Sequence, residues 1–239
     1  MTDVLNDVLN EKVTAAQTLL RQIALQHAPA AFASSLGAED MVLTDLILRD
    51  SLPIEIFTLD TGRLHNETYA LLDAITARYG TRLHLVFPRS DAVENYVHNH
   101  GVNGFYNSVG LRKTCCHIRK VEPLRRALAG KKAWLTGMRR AQSAARQEVP
   151  LKSYDADNGL IKFNPLVDWS HEEVWDYIRT HAVPYNELHD RGFPSIGCAP
   201  CTRAVAAGED IRAGRWWWEQ DTTQECGLHT TKKREPAVA

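Results

Sequence analysis

The sequence lacks any long apolar run, and its cysteines do not have the even number typical of a disulfide framework. No stretch approaches the roughly 20 apolar residues of a membrane-spanning helix, and the N-terminus is acidic where a signal peptide would be basic. The five cysteines are an odd number. We therefore expect a cytoplasmic protein without a membrane partner, in which cysteine serves metal or redox chemistry.

Positive charge is scarce in the first half of the chain and concentrated after it. Residues 1–110 hold seven Lys/Arg against thirteen Asp/Glu, whereas residues 111–146 hold eleven Lys/Arg and a single acidic residue, Glu122. Such a block is typical of a site for a small anion, of a nucleic-acid surface or of a solvated face. Because Trp134 is the only tryptophan, tyrosine or phenylalanine in the block, base stacking is disfavoured and we predict no nucleic-acid partner.

Helical and strand patterns alternate along most of the chain. Apolar spacing predicts an N-terminal helix within residues 1–28, and short apolar runs predict strands at 30–34, 54–59, 82–87 and 132–137. Helices are predicted at 39–50, 65–79, 91–100, 116–128 and 171–181, the last with Ser170 as its N-cap. This alternation predicts a doubly wound, mainly parallel α/β sheet. We expect one nucleotide-binding domain over 1–218 and a flexible C-terminal tail over 219–239.

Three loops follow predicted strands, where doubly wound sheets bind ligands. The segment SSLGAED lacks the GKS or GKT of an ATPase P-loop, but its backbone N–H groups can cradle an anion. The segments LDTGR and GMRRAQSAAR add a carboxylate and guanidinium forks suited to ribose hydroxyls and to phosphate or sulfate. Each loop alone is typical of an ordinary turn, but together they predict a small anionic nucleotide. The candidate ligands are Ser34, Ser35, Gly37, Asp60, Gly62, Arg63, Arg139, Arg140 and Arg146.

Four cysteines form a candidate metal site. Cys115 and Cys116 are adjacent, and their Cα atoms, about 3.8 Å apart, are too close for an ordinary disulfide. Cys198 and Cys201 form a CxxC, so the set suits zinc or an iron–sulfur cluster. Neighbours at the start of a helix diverge by about 100°, which the corners of a [4Fe-4S] cluster accommodate better than one tetrahedral zinc ion. The cluster is favoured, with zinc or unligated buried thiols as alternatives.

The fifth cysteine, Cys226, lies in the segment ECGLH near the C-terminus. Arg212, Arg215 and His229 are close to it in sequence, and cationic neighbours lower the pKa of a thiol. A nucleophile on a mobile tail can attack a bound substrate and then meet a second protein. The alternative is a cysteine without a function.

These segments together resemble one enzyme family. The combination CCHIRKVEPLRRAL, SIGCAPCTRAV, GRWWWE and ECGLH, with the three loops and IKFNPLVDWSHEEVWDYI, is similar to the assimilatory sulfonucleotide reductases over about residues 30–229. Within that group it resembles the iron–sulfur adenylyl-sulfate (APS) reductases. The resemblance implies a PP-loop, adenine nucleotide alpha hydrolase-like fold. It also implies reduction of APS to sulfite and AMP by thioredoxin or a similar dithiol reductant.

The resemblance also implies residue roles. Cys226 would attack the sulfonyl sulfur to give an S-sulfocysteine, with His229 beside it in the catalytic set, and Lys120 would lie between cluster and substrate. The phosphosulfate would be held by Arg139, Arg140, Arg212 and Arg215. The cluster would be held by Cys115, Cys116, Cys198 and Cys201. Leu36 stands where a serine often precedes the glycine of the loop, which weakens the assignment of Ser34 and Ser35.

Three rival hypotheses stay open at this point. The substrate can be the 3′-phosphorylated form of APS, although reductases that prefer it generally lack the cluster cysteines. An ATP pyrophosphatase-type enzyme on the same scaffold would leave ECGLH unexplained. A non-catalytic nucleotide-binding sensor is the third. The sequence also leaves open whether the chain forms a homo-oligomer.

Overall fold

A six-stranded sheet forms the centre of the part of the chain that the structure, a computed structural model, describes: residues 2–143 and 146–219. In chain order its strands are β1 (Ala30–Ala33), β2 (Ile54–Leu59), β3 (His84–Val86), β4 (Ala133–Leu135), β5 (Lys152–Asp155) and β6 (Leu160–Phe163). Their order across the sheet is β3-β2-β1-β4-β6-β5, and all pairs are parallel except β5 with β6.

Seven α-helices are described around the sheet. They are α1 (Thr2–Gln26), α2 (Ala38–Arg49), α3 (Asn66–Tyr79), α4 (Ser90–His100), α5 (Val109–Cys116), α6 (Glu122–Leu128) and α7 (His171–His181). Because side chains alternate along a strand, Phe32 of β1 faces a core built with α1, α2, α3 and α7, whereas Ala31 faces α6. The predicted doubly wound α/β architecture is confirmed. None of the described helices combines the length and apolar character needed to cross a bilayer.

The strand order places a crevice at the centre of the sheet. The chain runs outward from β1 through β2 to β3, then returns to pair β4 with the other side of β1. The loops after β1 and β4 therefore leave in different directions and open a space at the carboxyl ends of these strands, which is where such folds bind ligands.

The helix predicted at 116–128 differs from the structure. Helix α5 begins earlier, where the Ser108 side chain accepts a hydrogen bond from the N–H of Leu111, and it ends at Cys116. A π-helical turn, His117–Val121, then leads into α6. The adjacent cysteines thus lie in the last turn of a helix and not at its start. Pro123 has no N–H to donate to the preceding turn, which favours the irregular geometry here.

The hairpin of β5 and β6 was not predicted, because residues 149–165 show no clear periodicity. Only Leu160 and Phe163 of β6 are buried, and β5 has no buried residue. The predicted division between a domain at 1–218 and a tail at 219–239 falls at the end of the described residues, so it stays a prediction.

Candidate active site

A cavity of about 230 Å³ lies at the carboxyl ends of β1, β2 and β4. Ser34, Ser35 and Gly37 line it from the loop after β1, and Gly137 lines it from the loop after β4. The apolar part of its wall comes from Phe57, Leu59, Leu124, Trp134 and Met138. The cavity therefore occupies the crevice that the strand order creates and offers apolar surface beside backbone loops.

The loop after β1 is held by its own polar groups. The Asp40 carboxylate accepts hydrogen bonds from the N–H and the hydroxyl of Ser35, both at 2.6 Å, and the Ser34 hydroxyl accepts one from the N–H of Leu36. Leu36 adopts a left-handed φ of 61° with its side chain fully buried. Any side chain at Gly137 would collide with Asp40, so the loop after β4 passes directly against this carboxylate. Burial raises the pKa of Asp40 to about 6.

In the loop after β2, Thr61 lines the cavity, whereas the residues next to it in sequence do not. The Asp60 carboxylate accepts hydrogen bonds from the N–H of Gly62 at 2.8 Å and from the Tyr69 hydroxyl at 3.0 Å. Arg63 donates to the carbonyl of Val102, outside the cavity. The predicted ligands Asp60, Gly62 and Arg63 do not line the cavity, and Thr61, which was not predicted, does.

The arginines after β4 are arranged differently from the prediction. Arg139 is 1% exposed, and its guanidinium donates to a Glu39 carboxylate oxygen at 2.6 Å and to the carbonyl of Trp169 at 3.0 Å. Arg140 pairs with Asp168 at the surface. Neither arginine lines the cavity. Each guanidinium instead pairs with a carboxylate of the protein, although both were predicted to bind an anion. From this segment the cavity is lined by Arg146 and Gln142.

Lys120, Arg212 and Arg215 bring positive charge to one end of the cavity. Arg215 is 8% exposed, and its Nη1 lies 3.3 Å from the Ser195 hydroxyl. Within residues 2–143 and 146–219 its Nε has no hydrogen-bond partner. Any side chain at Gly197 would meet this guanidinium, so the glycine allows it to lie close to the backbone. This end of the cavity is suited to an anionic group.

A second, smaller cavity of about 20 Å³ is lined by all four candidate metal ligands, Cys115, Cys116, Cys198 and Cys201. The first two end α5, and the other two flank a 3₁₀ turn, Ala199–Cys201. Burial, with the nearby Cys198 thiol, raises the pKa of Cys201 to about 12, and burial also raises that of Cys115.

Four thiols around one cavity are the donor set of an iron–sulfur group, and Arg112, Arg119 and Lys120 beside them would balance its negative charge. In the described ranges, no three or more His, Cys, Asp or Glu side chains converge in a way that would hold a metal ion. The residue types therefore fit a cluster, but the four thiols do not converge into a formed metal site.

The two cavities share a wall made of Lys120, Cys198 and Trp216. Lys120 lies in the π-helical turn directly after the cysteine pair, and such turns often mark functional sites. The Thr61 hydroxyl lies 3.2 Å from the sulfur of Cys198, which joins the loop after β2 to the smaller cavity. A charge in either cavity therefore acts on residues that contact the other.

Two of the predicted catalytic residues, Cys226 and His229, lie outside the described residues, and their roles stay predictions. Sequence reasoning also missed His189, which lines the large cavity. Its Nε2 has no hydrogen-bond partner in the described part of the chain, and burial lowers its pKa, so the ring is neutral near pH 7. A lone histidine with no motif around it gives no signal that would have identified it.

The fold and site define a class, namely doubly wound α/β proteins with a cavity at the point where the strand order of the sheet reverses. Residues 29–204 match the phosphoadenosine phosphosulfate reductase domain family, and the chain belongs to this family. It is 57% identical to adenosine 5′-phosphosulfate reductase of Allochromatium vinosum over 97% of this chain and 91% of that protein. The Burkholderia cepacia protein of the same name is 55% identical, over 93% and 89%.

Solved structures agree on the fold. Phosphoadenylyl-sulfate (PAPS) reductase from Candida auris, in a phosphate complex, matches with a TM-score of 0.68 and 31% identity, covering 83% of this chain and 95% of that one. FMN adenylyltransferase from Candida glabrata matches with a TM-score of 0.56 at 15% identity, over 89% and 73%. The second likeness shows the fold alone. The PP-loop-type fold implied by the motifs is thereby confirmed.

Proposed function

We propose that this protein reduces adenosine 5′-phosphosulfate to sulfite and AMP in sulfate assimilation, with thioredoxin or a similar dithiol as reductant. The observation that carries the proposal is the wall shared by the two cavities. A nucleotide-sized space with a cationic end adjoins four cysteines through Lys120, in a chain closely similar to proteins named adenosine 5′-phosphosulfate reductase.

The cavity suits the substrate at both ends. We place the nucleoside against the apolar wall that includes Trp134 and Phe57, which line the cavity. We place the phosphosulfate beside Lys120, Arg212 and Arg215, which also line it. Positive charge at this end stabilises the AMP leaving group as the bond to sulfur breaks.

The reaction consists of two transfers at sulfur. The Cys226 thiolate attacks the sulfonyl sulfur of the substrate, an S–S bond forms, the S–O bond to phosphate breaks, and AMP leaves with the electron pair. A thiolate of the dithiol reductant then attacks the Cys226 sulfur and releases sulfite with the electrons of that S–S bond. The second thiol of the reductant resolves the mixed disulfide, so Cys226 returns as a thiolate and the reductant leaves oxidised.

We further propose that Cys115, Cys116, Cys198 and Cys201 hold a [4Fe-4S] cluster. When bound, such a cluster supplies a charged centre that polarises the adjoining cationic end of the large cavity. Lys120, which lines both cavities, would lie between the cluster and the phosphosulfate and would place its positive charge beside both. Support comes from the thiol donor set and from the cations around it.

A second candidate substrate is the 3′-phosphorylated form of APS. The observation in its favour is the match to the phosphoadenosine phosphosulfate reductase domain and to the Candida auris PAPS reductase. The two substrates differ only by the phosphate on the ribose, so side-by-side single-turnover rates decide between them.

We propose a cytoplasmic location, with neither nucleic acid nor membrane as a partner.

The decisive experiment is a single turnover without reductant. Stoichiometric protein, prepared without oxygen and mixed with sulfur-labelled APS, is expected to release AMP and retain label on Cys226. Cys226→Ser should abolish labelling while it keeps the visible absorption of the iron–sulfur cluster. Label that persists in this variant would contradict the nucleophile assignment, and a colourless wild-type protein that contains zinc would contradict the cluster.

A further inference from the structure

The last described residue, Glu219, forms a buried ion pair with Arg112 of α5. The guanidinium donates from Nε to Oε1 and from Nη2 to Oε2, both at 2.8 Å, so the pair is a two-bond fork. The exposed fractions of the two side chains are only 4% and 3%. Such forks fix direction as well as distance.

Arg112 connects Glu219 to both cavities. It lies one helical turn before the cysteine pair and lines the cysteine cavity. Its guanidinium stacks on Trp216 at 4.8 Å from the ring centre, and that of Arg215 lies at the same distance from the same ring. Trp216 and Arg215 line the large cavity, so the pair is joined to the cationic end through one aromatic ring.

A buried ion pair gives little net stability, because removing two charges from water costs about as much as their attraction returns. A role in fixing geometry explains this placement better than stability does. Glu219 is followed, seven residues later, by Cys226. Seven residues span at most about 25 Å when fully extended, so the position of Glu219 limits where the Cys226 thiol can go.

We propose that the Arg112–Glu219 pair is a positioning device for the nucleophile. The pair attaches Glu219, which precedes the segment that carries Cys226, to helix α5. This attachment lies close to the wall shared by the two cavities. A fixed starting point raises the effective concentration of the thiolate at the bound substrate. The inference rests on the proposed function, in which Cys226 attacks the sulfonyl sulfur.

The matched comparison uses two carboxylates of the same C-terminal region. Glu219→Gln removes the charge of the buried pair and nearly keeps its shape. Glu209→Gln does the same to the forked pair with Arg203, whose side chains are 39% and 35% exposed. Both variants are made in the full chain loaded with iron. The rate of Cys226 labelling by saturating sulfur-labelled APS is measured in single turnovers, together with AMP affinity, iron content and visible absorption.

Labelling in Glu219→Gln is expected to slow by about tenfold or more, with AMP affinity and iron content within about twofold of wild type. Glu209→Gln should match wild type, and Glu219→Asp, which keeps the carboxylate, should recover much of the rate. Arg112→Lys keeps the buried charge but loses the fork, so it should slow the same step and serves if Glu219→Gln does not fold.

Two results would overturn the inference. One is wild-type labelling rates in both Glu219→Gln and Arg112→Lys. The other is a parallel loss of iron or AMP affinity, which would mean that the pair supports the cavities themselves. An unlabelled wild-type protein would instead contradict the proposed function, and that outcome is visible before any variant is compared.

Discussion

Arg139 and Arg140 are adjacent in sequence, but the protein surrounds them very differently. Burial alone would raise the pKa of Glu39, yet the charge and hydrogen bonds of Arg139 hold that pKa below its usual value. The guanidinium of Arg139 also donates to the carbonyl of Trp169, so it joins the start of α2 to the segment before α7. The ion pair of Arg140 and Asp168 is at the surface, with exposed fractions of 42% and 66%.

The first prediction follows from this contrast. Arg139→Ala leaves the Glu39 carboxylate buried without its partner, and we expect it to lower the free energy of unfolding by about 3–5 kcal/mol. Arg140→Ala, the matched control, should cost about 0–1 kcal/mol because water screens its pair. Urea denaturation of both variants measures the difference. Equal losses of stability in the two variants would contradict a structural role for Arg139. An Arg139→Ala variant with normal stability that no longer binds AMP would contradict it as well.

The second prediction concerns the buried carboxyl of Asp40, whose pKa burial raises from 3.8 to about 6. Between about pH 4 and 6 the folded state binds more protons than the unfolded state, so the free energy of unfolding falls as pH rises through this window. Asp40→Asn cannot titrate. The stability of wild type relative to this variant should therefore fall by up to about 3 kcal/mol from pH 4 to pH 7. Urea denaturation at both pH values tests this, and a constant difference would contradict it.

Site residues could be predicted from the sequence where a motif indicates their chemistry. They could not be predicted where the role of a side chain depends on a partner that is distant in sequence. The two cysteine pairs were recognisable because their spacing has few other uses, and they do line one cavity. The role of Arg139 was not, because Glu39 lies 100 positions away and meets it only in the folded state. Arg146, predicted from the segment GMRRAQSAAR, lines the large cavity, whereas Thr61 and His189 line it without any local sequence signal.

At the scale of secondary structure, elements with a clear period were predicted almost to the residue. Strand β2 matches its predicted range, and α7 begins at the predicted Ser170 cap. The hairpin of β5 and β6 escaped prediction because pairing with β4, and not its own pattern, stabilises it. The π-helical turn also escaped, because a pattern of apolar residues cannot distinguish it from an α-helix.

The third prediction concerns the start of α7. The Ser170 hydroxyl accepts a hydrogen bond from the N–H of Glu173, whose carboxylate accepts one from the N–H of Ser170 and one from Lys12 of α1. Ser170→Ala should lower the free energy of unfolding by about 1 kcal/mol. The exposed Thr180 of the same helix provides a control, since Thr180→Ala removes no cap. Thermal unfolding compares them, and an equal effect would argue against the capping role.

At the scale of the whole molecule, two distant stretches of chain meet in the cysteine cavity. One is the end of α5, and the other is the turn Ala199–Cys201, which a backbone bond from Ala199 to the carbonyl of Arg63 holds against the loop after β2. A group bound by all four thiols would connect these stretches covalently. The sheet has its own apolar core and does not depend on that connection.

The fourth prediction follows from the proposed cluster, since removal of its iron should loosen one region selectively. We expect amide hydrogen exchange to speed up at 109–121 and 198–205 after treatment with a chelator and oxidant, while β1 and β4 stay protected. Exchange analysed by mass spectrometry, with Cys226→Ser as a control that keeps its iron, measures this. Uniform loss of protection would mean that the cluster supports the entire fold, and no change would contradict ligation by both stretches.

The separation of the two cysteine pairs along the chain has a consequence for biogenesis. Residues 117–197 lie between Cys116 and Cys198 and contain α6, β4, β5, β6 and α7. The ribosome therefore exposes the first pair well before the second exists, and we expect the intervening strands and helices to fold before all four thiols meet. A cofactor held by both pairs could be inserted only after Cys198 has been synthesised and the two stretches have come together. Its insertion would thus be a late maturation step, and we expect the apoprotein to carry a folded sheet.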